Sequence, residues 1–346
     1  MDDVNQPDSL QAYFVLEAIA NFNNFLNVCT DGIQKAQGLA NSFLDKWVDQ
    51  FSYTSSLENV LGRRKLLLEQ LQMAMGLTLA FAGIYGAVAS AASAFIFNSI
   101  GEHLGNPPEK FDVAADLGAY VGNLSSASAA AIDDLGARLF AGQPDSNGNY
   151  LWQYLANGSY ADTNKVQSSQ IQDLLQKQYT AAGVNALWRS QRTYILAAPT
   201  KPGVACKDDI RGPGESKLCL KDIPNKVYYA YMIPPTPSDK NHYPQVLLPQ
   251  GYKNLSYYQP LDLESAMTAS VRAYNVAGCD YESVRQQRWL DSLKNSSTLG
   301  SASPLDLGYS FEGMFTIPVC SDPYGIFISA VKSTSSSVRP FPPRPN

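Results

Sequence analysis

Between Gln70 and Gly101 the chain carries no Asp, Glu, Lys or Arg. A run that long without charge has to be shielded from water, by protein or by lipid. Its core, Leu71 to Phe97, reads LQMAMGLTLAFAGIYGAVASAASAFIF. At 1.5 Å per residue one helix over that span is about 40 Å long, enough to cross a bilayer. Small residues recur three or four apart, as Ala80, Gly83, Ala87, Ala91 and as Ala82, Gly86, Ser90. Such faces let helices approach closely, in membranes or in a tight bundle. Three readings compete: a constitutive span, a helix or hairpin stored in a soluble bundle and released into lipid, and the central helix of a soluble bundle buried on all sides. In the first reading the Arg63-Arg64-Lys65 cluster would orient the preceding segment to the cytoplasm, where its apolar stripe would need a separate partner. The candidate membrane contacts are Leu71, Met75, Leu79, Gly83, Gly86, Phe95 and Phe97.

That stripe lies between Ser9 and Phe51 and reads Phe14, Ala18, Phe22, Phe25, Cys29, Ile33, Ala36, Ala40, Phe43, Trp47, Phe51. Steps of three and four are helical spacing. The opposite face holds Asn21, Asn23, Asn24, Asn27, Gln34 and Lys35, so the helix is amphipathic and needs a partner. Gly32 and Gly38 leave open whether it is one helix or two. Ser55-Ser-Leu-Glu58 has capping-box spacing ahead of the charge-free run. Pro107-Pro108 breaks the chain, and further helices are expected over 111–140 and 168–189. After about Thr193 Pro and Gly become frequent, and strands are expected at 194–197, 227–233, 314–319 and 324–330. A helix over 262–276 takes Asp262 as N-cap, and a short one follows over 281–293. The fold class is mainly α, of the α+β kind. A helical bundle over 9–190, with a central small-residue apolar helix, precedes a smaller disulfide-braced mixed region over 193–331. The Ser- and Pro-rich tail, 332–346, is expected to be disordered.

Five cysteines are present, four of them after Val204. None forms a C-x-x-C pair, which argues against a zinc ribbon or a thioredoxin-type site. Cys206 and Cys219 flank a Gly/Pro loop that a disulfide can close, leaving Cys279 and Cys320 for a second bridge. Two bridges drawn from five cysteines allow fifteen arrangements, so this pairing is one among several. Cys29, on the helical stripe, reads as a buried core thiol. Sequons occur at Asn123, Asn157, Asn254 and Asn295, and with the cysteines they point to secretion and glycosylation. Met1-Asp-Asp-Val4 has neither the basic nor the apolar region of a signal peptide, so secretion implies that a leader has been removed.

Chemistry is thinly signalled. A net charge of −5 argues against a nucleic-acid partner. The two histidines, His103 and His242, cannot alone build a multi-histidine metal site. G-x-S-x-G, H-E-x-x-H, P-loop and dinucleotide fingerprints are all missing. Asp133-Asp134 sits in a helical stretch where neighbours point apart, and Asp208-Asp209 falls in the candidate disulfide loop. Asp145-Ser-Asn-Gly-Asn149 resembles a calcium loop, but its Gly is misplaced and Ala156 stands where the closing Glu belongs; it reads as a turn. Tyr228, Tyr229, Tyr231, Tyr252, Tyr257 and Tyr258 suit either a sugar-stacking surface or a small sheet packing alternate side chains.

The opening Ala12 to Asn27, the small-residue helix Gly76 to Phe97 and the tyrosine-rich Cys219 to Ile233 together resemble a family of secreted fungal proteins of unknown activity. The resemblance implies a secreted product and supplies no catalytic or binding residues. The expectation is a secreted, non-enzymatic glycoprotein, effector- or toxin-like, needing no cofactor or metal and acting through 71–97 on a lipid membrane or a cell-surface glycan. Alternatives are an extracellular polysaccharide hydrolase and a carbohydrate-binding surface protein. A homo-oligomer stays open.

Overall fold

The stripe of three- and four-residue steps folds as one unbroken helix, α1 (Pro7–Phe51), in the computed structural model of the chain. The structure describes residues 7–51, 71, 114–145, 148–158, 160–161, 167–232, 247–258, 261–281, 284, 288, 312–326 and 328. Gly32 is a contact rather than a break. A Cβ there would lie 2.6 Å from that of Ile171, so the missing side chain admits α4 (Ser168–Ser190) against α1. Among the described residues the first of the chain's two compact units also holds α2 (Ala114–Phe140) and the single turn α3 (Leu151–Tyr154). Phe22 gathers them: its ring lies 6.1 Å from Phe140, 5.6 Å from Tyr154 and 5.0 Å from Tyr160. Leu26, Cys29 and Ile33 of α1 and Leu124, Ala131, Leu135 and Leu139 of α2 are buried. Burial pushes the Cys29 thiol up, so it stays protonated, the inert core thiol its position suggested.

The two compact units are not consecutive halves of the chain. One comprises 1–44, 68–179 and 286–306; the other comprises 45–67, 180–285 and 307–346. Both α1 and α4 begin in the first and end in the second. In the second, Trp188 meets Phe51 with ring centroids 6.4 Å apart and donates from Nε1 to the Gln250 carbonyl at 2.8 Å. The Gln191 amide donates to the Phe51 carbonyl at 2.7 Å.

The second unit also holds a four-stranded sheet, ordered β2-β3-β1-β4. β1 (Thr193–Pro199) pairs antiparallel with β3 (Lys226–Met232), from Thr193 opposite Met232 to Pro199 opposite Lys226. β2 (Lys217–Leu218) adds to the far side of β3. β4 (Val319–Ser321) runs parallel to β1, with Cys320 opposite Leu196. Of the alternate set Val227, Tyr229, Tyr231 and Ile233 expected on one face, the first three share one apolar cluster with Leu196, Ala198 and Ile328, and Ile233 lies outside the described residues. Tyr228, on the opposite face, is buried too. These tyrosines are therefore core rather than a stacking surface. α5 (Leu263–Ala277) packs against β2 and β4, and the Asp262 carboxylate caps it by accepting the Ser265 N–H at 2.6 Å.

Two expected strands differ. Over 314–319 the ladder begins only at Val319, because side chains capture the preceding amides: Asn185 Oδ1 accepts the Thr316 N–H at 2.9 Å and Ser270 Oγ accepts the Ile317 N–H at 3.1 Å. Of 324–330 the structure describes 324–326 and 328, and there the chain turns at Gly325, whose N–H reaches the Asp322 carbonyl at 3.0 Å, while Asp322 Oδ2 accepts the Ile328 N–H at 3.1 Å. Asp322 thus gives these amides the local partners that a strand would have sought across a sheet. The capping box at 55–58, nearly all of the charge-free run, most of the helix expected over 281–293 and the tail lie outside the described residues.

Candidate functional site

The apolar stripe of α1 is buried only from Ala18 onward, at Phe22, Cys29, Ile33 and Ala36, while the expected Phe25 is half-buried and its neighbour Leu26 is buried instead. Its first expected member, Phe14, is half exposed. Around it Leu10, Tyr13, Val15 and Leu16 are also open to water, and the five side chains are 49% to 66% exposed. At 100° per residue these positions surround the helix. Two turns of α1 therefore present large apolar side chains on every side. Clustered exposure of this kind marks a contact surface. The sequence carried the signal, since 13–16 is Tyr-Phe-Val-Leu without a polar break, yet periodicity alone assigned only Phe14 to the apolar face.

Two polar clusters among the described residues are closed. Asp145 is buried and accepts from the Tyr154 hydroxyl at 2.6 Å, the Asn149 N–H at 2.8 Å and the Asn149 amide at 3.0 Å. Burial, and then the hydrogen bond to Asp145, push the Tyr154 phenol up. This is the turn expected at 145–149, fixed by its own carboxylate. Beside it Trp152 is 68% exposed and Tyr150 is also open.

In the second unit Asp209 is paired with Arg211, whose Nη2 lies 2.7 Å and Nε 2.9 Å from Oδ2. The Arg211 N–H donates to Oδ1 at 3.0 Å, its Nη2 also donates to the Pro199 carbonyl, and the Tyr229 hydroxyl donates to the Asp209 carbonyl at 3.2 Å. Burial alone would raise the Asp209 carboxyl, but the hydrogen bonds and charge of Arg211 outweigh it and hold it below the usual carboxylate range. Gly325 completes the pocket: a Cβ there would run into the Arg211 guanidinium. A carboxylate so fully engaged positions chain and carries no free lone pair toward a substrate. Asp208, its neighbour in sequence, is exposed. Asp133 is exposed as well, and Asp134 pairs with Arg138 at 3.0 Å. Neither adjacent pair brings two carboxylates to one face. Nothing in the sequence marked the Asp209–Arg211 pair, because a separation of two residues in a loop has no characteristic spacing.

Of the expected membrane contacts, Leu71 is buried, while Met75, Leu79, Gly83, Gly86, Phe95 and Phe97 lie outside the described residues. Among the described residues no helix is long and apolar enough to cross a membrane. The Cys206–Cys219 bridge is closed, joining the ends of the loop as its sequence suggested. The second expected bridge is not: Cys279, exposed just beyond α5, and Cys320, half-buried in β4, are free thiols. Asn123 is exposed on α2, Asn157 lies in a 3-10 turn, Asn254 is half-buried in another, and Asn295 falls outside the described residues. His103 and His242 also fall outside them, and among the described residues no group of three His, Cys, Asp or Glu is placed to hold a metal. Comparison with known protein families, with curated proteins and with solved structures finds no match to this chain.

Proposed function

We propose that the protein is a secreted, non-enzymatic, effector- or toxin-like protein that acts at a membrane surface, with the first turns of α1 as its contact. The exposed cluster Leu10, Tyr13, Phe14, Val15 and Leu16 carries this reading. Moving a large apolar side chain fully out of water contributes about 1.5–3 kcal/mol. Five such side chains, each about half exposed, would contribute about 4–8 kcal/mol in total before ordering costs. That is the range of reversible interfacial binding rather than permanent insertion. Tyr13 has the amphipathic character that suits the headgroup level. The nearby charges, Asp8 and Glu17, and the overall charge of −5 favour a zwitterionic over an anionic surface. The charge-free segment Leu71–Phe97 is the second apolar element that such a surface could recruit. The Cys206–Cys219 bridge supports an extracellular setting.

The test is flotation with phosphatidylcholine vesicles. Wild type should float with the lipid, and Phe14→Asp/Leu16→Asp should stay in solution with an unchanged melting temperature, since both side chains face water. Gly83→Asp separates the contribution of 71–97. Wild type that ignores vesicles of every composition ends this reading.

A second reading rests on Tyr150 and Trp152, two exposed aromatics at the start of α3, whose Tyr154 hydroxyl is held by Asp145. Exposed aromatic faces stack on sugars. Glycan-array binding abolished by Trp152→Ala, without vesicle binding, would select it.

A further inference from the structure

Cys279 and Cys320 lie in elements that the structure ties together at several points within the second unit. Cys279 sits in the 3-10 turn Gly278–Asp280 that immediately follows α5. On one side of it, α5 packs against β4, and Ser270 of α5 accepts the Ile317 N–H at 3.1 Å. On the other side, Tyr281 is buried, its ring covers Gly313, and its hydroxyl donates to the Glu312 carbonyl at 3.2 Å. Both flanks of Cys279 are therefore pinned to the segment 312–317, which leads directly into β4 and Cys320. The two thiols also differ in character. Cys279 is exposed, whereas Cys320 is half-buried against the cluster of Leu196, Val227 and Tyr231. Burial, and then the neighbouring Cys279, push the Cys320 thiol up.

We infer that Cys279 and Cys320 are a reversible dithiol that a small-molecule disulfide converts into a second bridge, locking the end of α5 to the edge strand β4. Cys279, the accessible thiol, reacts first. Its thiolate attacks one sulfur of the small disulfide, forms a mixed disulfide, and releases one thiolate, which takes up the proton that Cys279 gave up. Cys320 then loses its proton and attacks the Cys279 sulfur. The Cys279–Cys320 bond forms, the mixed disulfide breaks, and a second small thiol leaves. Two protein thiols are oxidised and one small disulfide is reduced to two thiols. Cys29 takes no part, because it is buried in the first unit and held protonated.

The test is to treat the folded full-length protein with oxidised glutathione, quench with acid, unfold, and alkylate. Before treatment three cysteines should be alkylated; afterwards only Cys29 should be. Peptide mapping should show a Cys279–Cys320 crosslink beside the intact Cys206–Cys219 bridge. Cys320→Ser should instead trap a stable glutathione adduct at Cys279, and Cys279→Ser should slow modification of Cys320 at least tenfold. Three alkylated cysteines after treatment, a persistent glutathione adduct at Cys279 in the wild type, or a crosslink of Cys320 to Cys219, which borders the same cluster, would each overturn the assignment.

Discussion

Replacing Asp209 by Asn should destabilise the protein by about 3–5 kcal/mol, the usual cost of removing one partner of a buried ion pair. The amide keeps the shape and one acceptor oxygen. It also turns N–H groups toward the Arg211 guanidinium, which is 7% exposed beside a carboxylate that is fully buried. The positive charge is then left inside the fold without its paired carboxylate, with the Pro199 carbonyl and the single amide oxygen as acceptors. Asp209→Leu/Arg211→Met should cost less than the single change, about 1–3 kcal/mol, because the charge disappears and what remains is the loss of partners at the Pro199 carbonyl and the backbone N–H of residue 211, while the Tyr229 hydroxyl keeps the carbonyl of residue 209. Urea denaturation followed by circular dichroism measures both. The pH dependence has a definite sign. Arg211 lowers the Asp209 carboxyl in the folded protein, so its contribution is complete above the unfolded value of about 4 and fades as pH falls through the lower folded value. The gap between wild type and Asp209→Asn should stay level from pH 5 to 8 and narrow below about pH 4. A gap under about 1 kcal/mol at pH 7, or a double variant as damaged as the single one, would refute the reasoning.

Three further outcomes follow from the same geometry. Cys206→Ala/Cys219→Ala should lose about 3 kcal/mol, the chain-entropy value for a loop with a sequence separation of 13, read as a lower urea midpoint. Gly325→Ala combines a positive φ of 63° with a methyl group driven into Arg211, and should cost about 2–4 kcal/mol in the same assay. Tyr154→Phe removes the 2.6 Å hydrogen bond to buried Asp145 and should cost about 1–3 kcal/mol, measured as a lower melting temperature.

Periodicity made the long elements legible. The steps from Ala18 to Ala36 identified both α1 and its buried face, and Asp262 marked the start of α5 through a cap that uses only neighbouring residues. The alternation of Val227, Tyr229 and Tyr231 likewise placed one face of β3. What failed depended on distant partners. The segment 314–318 is rich in apolar residues, yet it forgoes a ladder because Asn185 and Ser270, more than forty positions away, take its amides. The turn at Gly325 was hidden because Asp322 replaced sheet partners within six residues. Gly32 is of a helix-breaking residue type, and only the packing of Ile171 against it shows why a glycine stands there. The same limit held for the candidate surface: spacing shows which side of a helix is apolar, but only tertiary structure shows that the first two turns of α1 extend past their partners.

Hydrogen exchange with and without phosphatidylcholine vesicles tests the central claim most directly, because it reports where on the chain lipid makes contact. The first turns of a helix with exposed side chains exchange readily on their own. Lipid should protect the amides of residues 10–17 and leave those of 26–36, already packed within the first unit, unchanged. Protection confined to other segments, or none at any lipid concentration, would contradict the assignment of the first turns of α1 as the membrane contact.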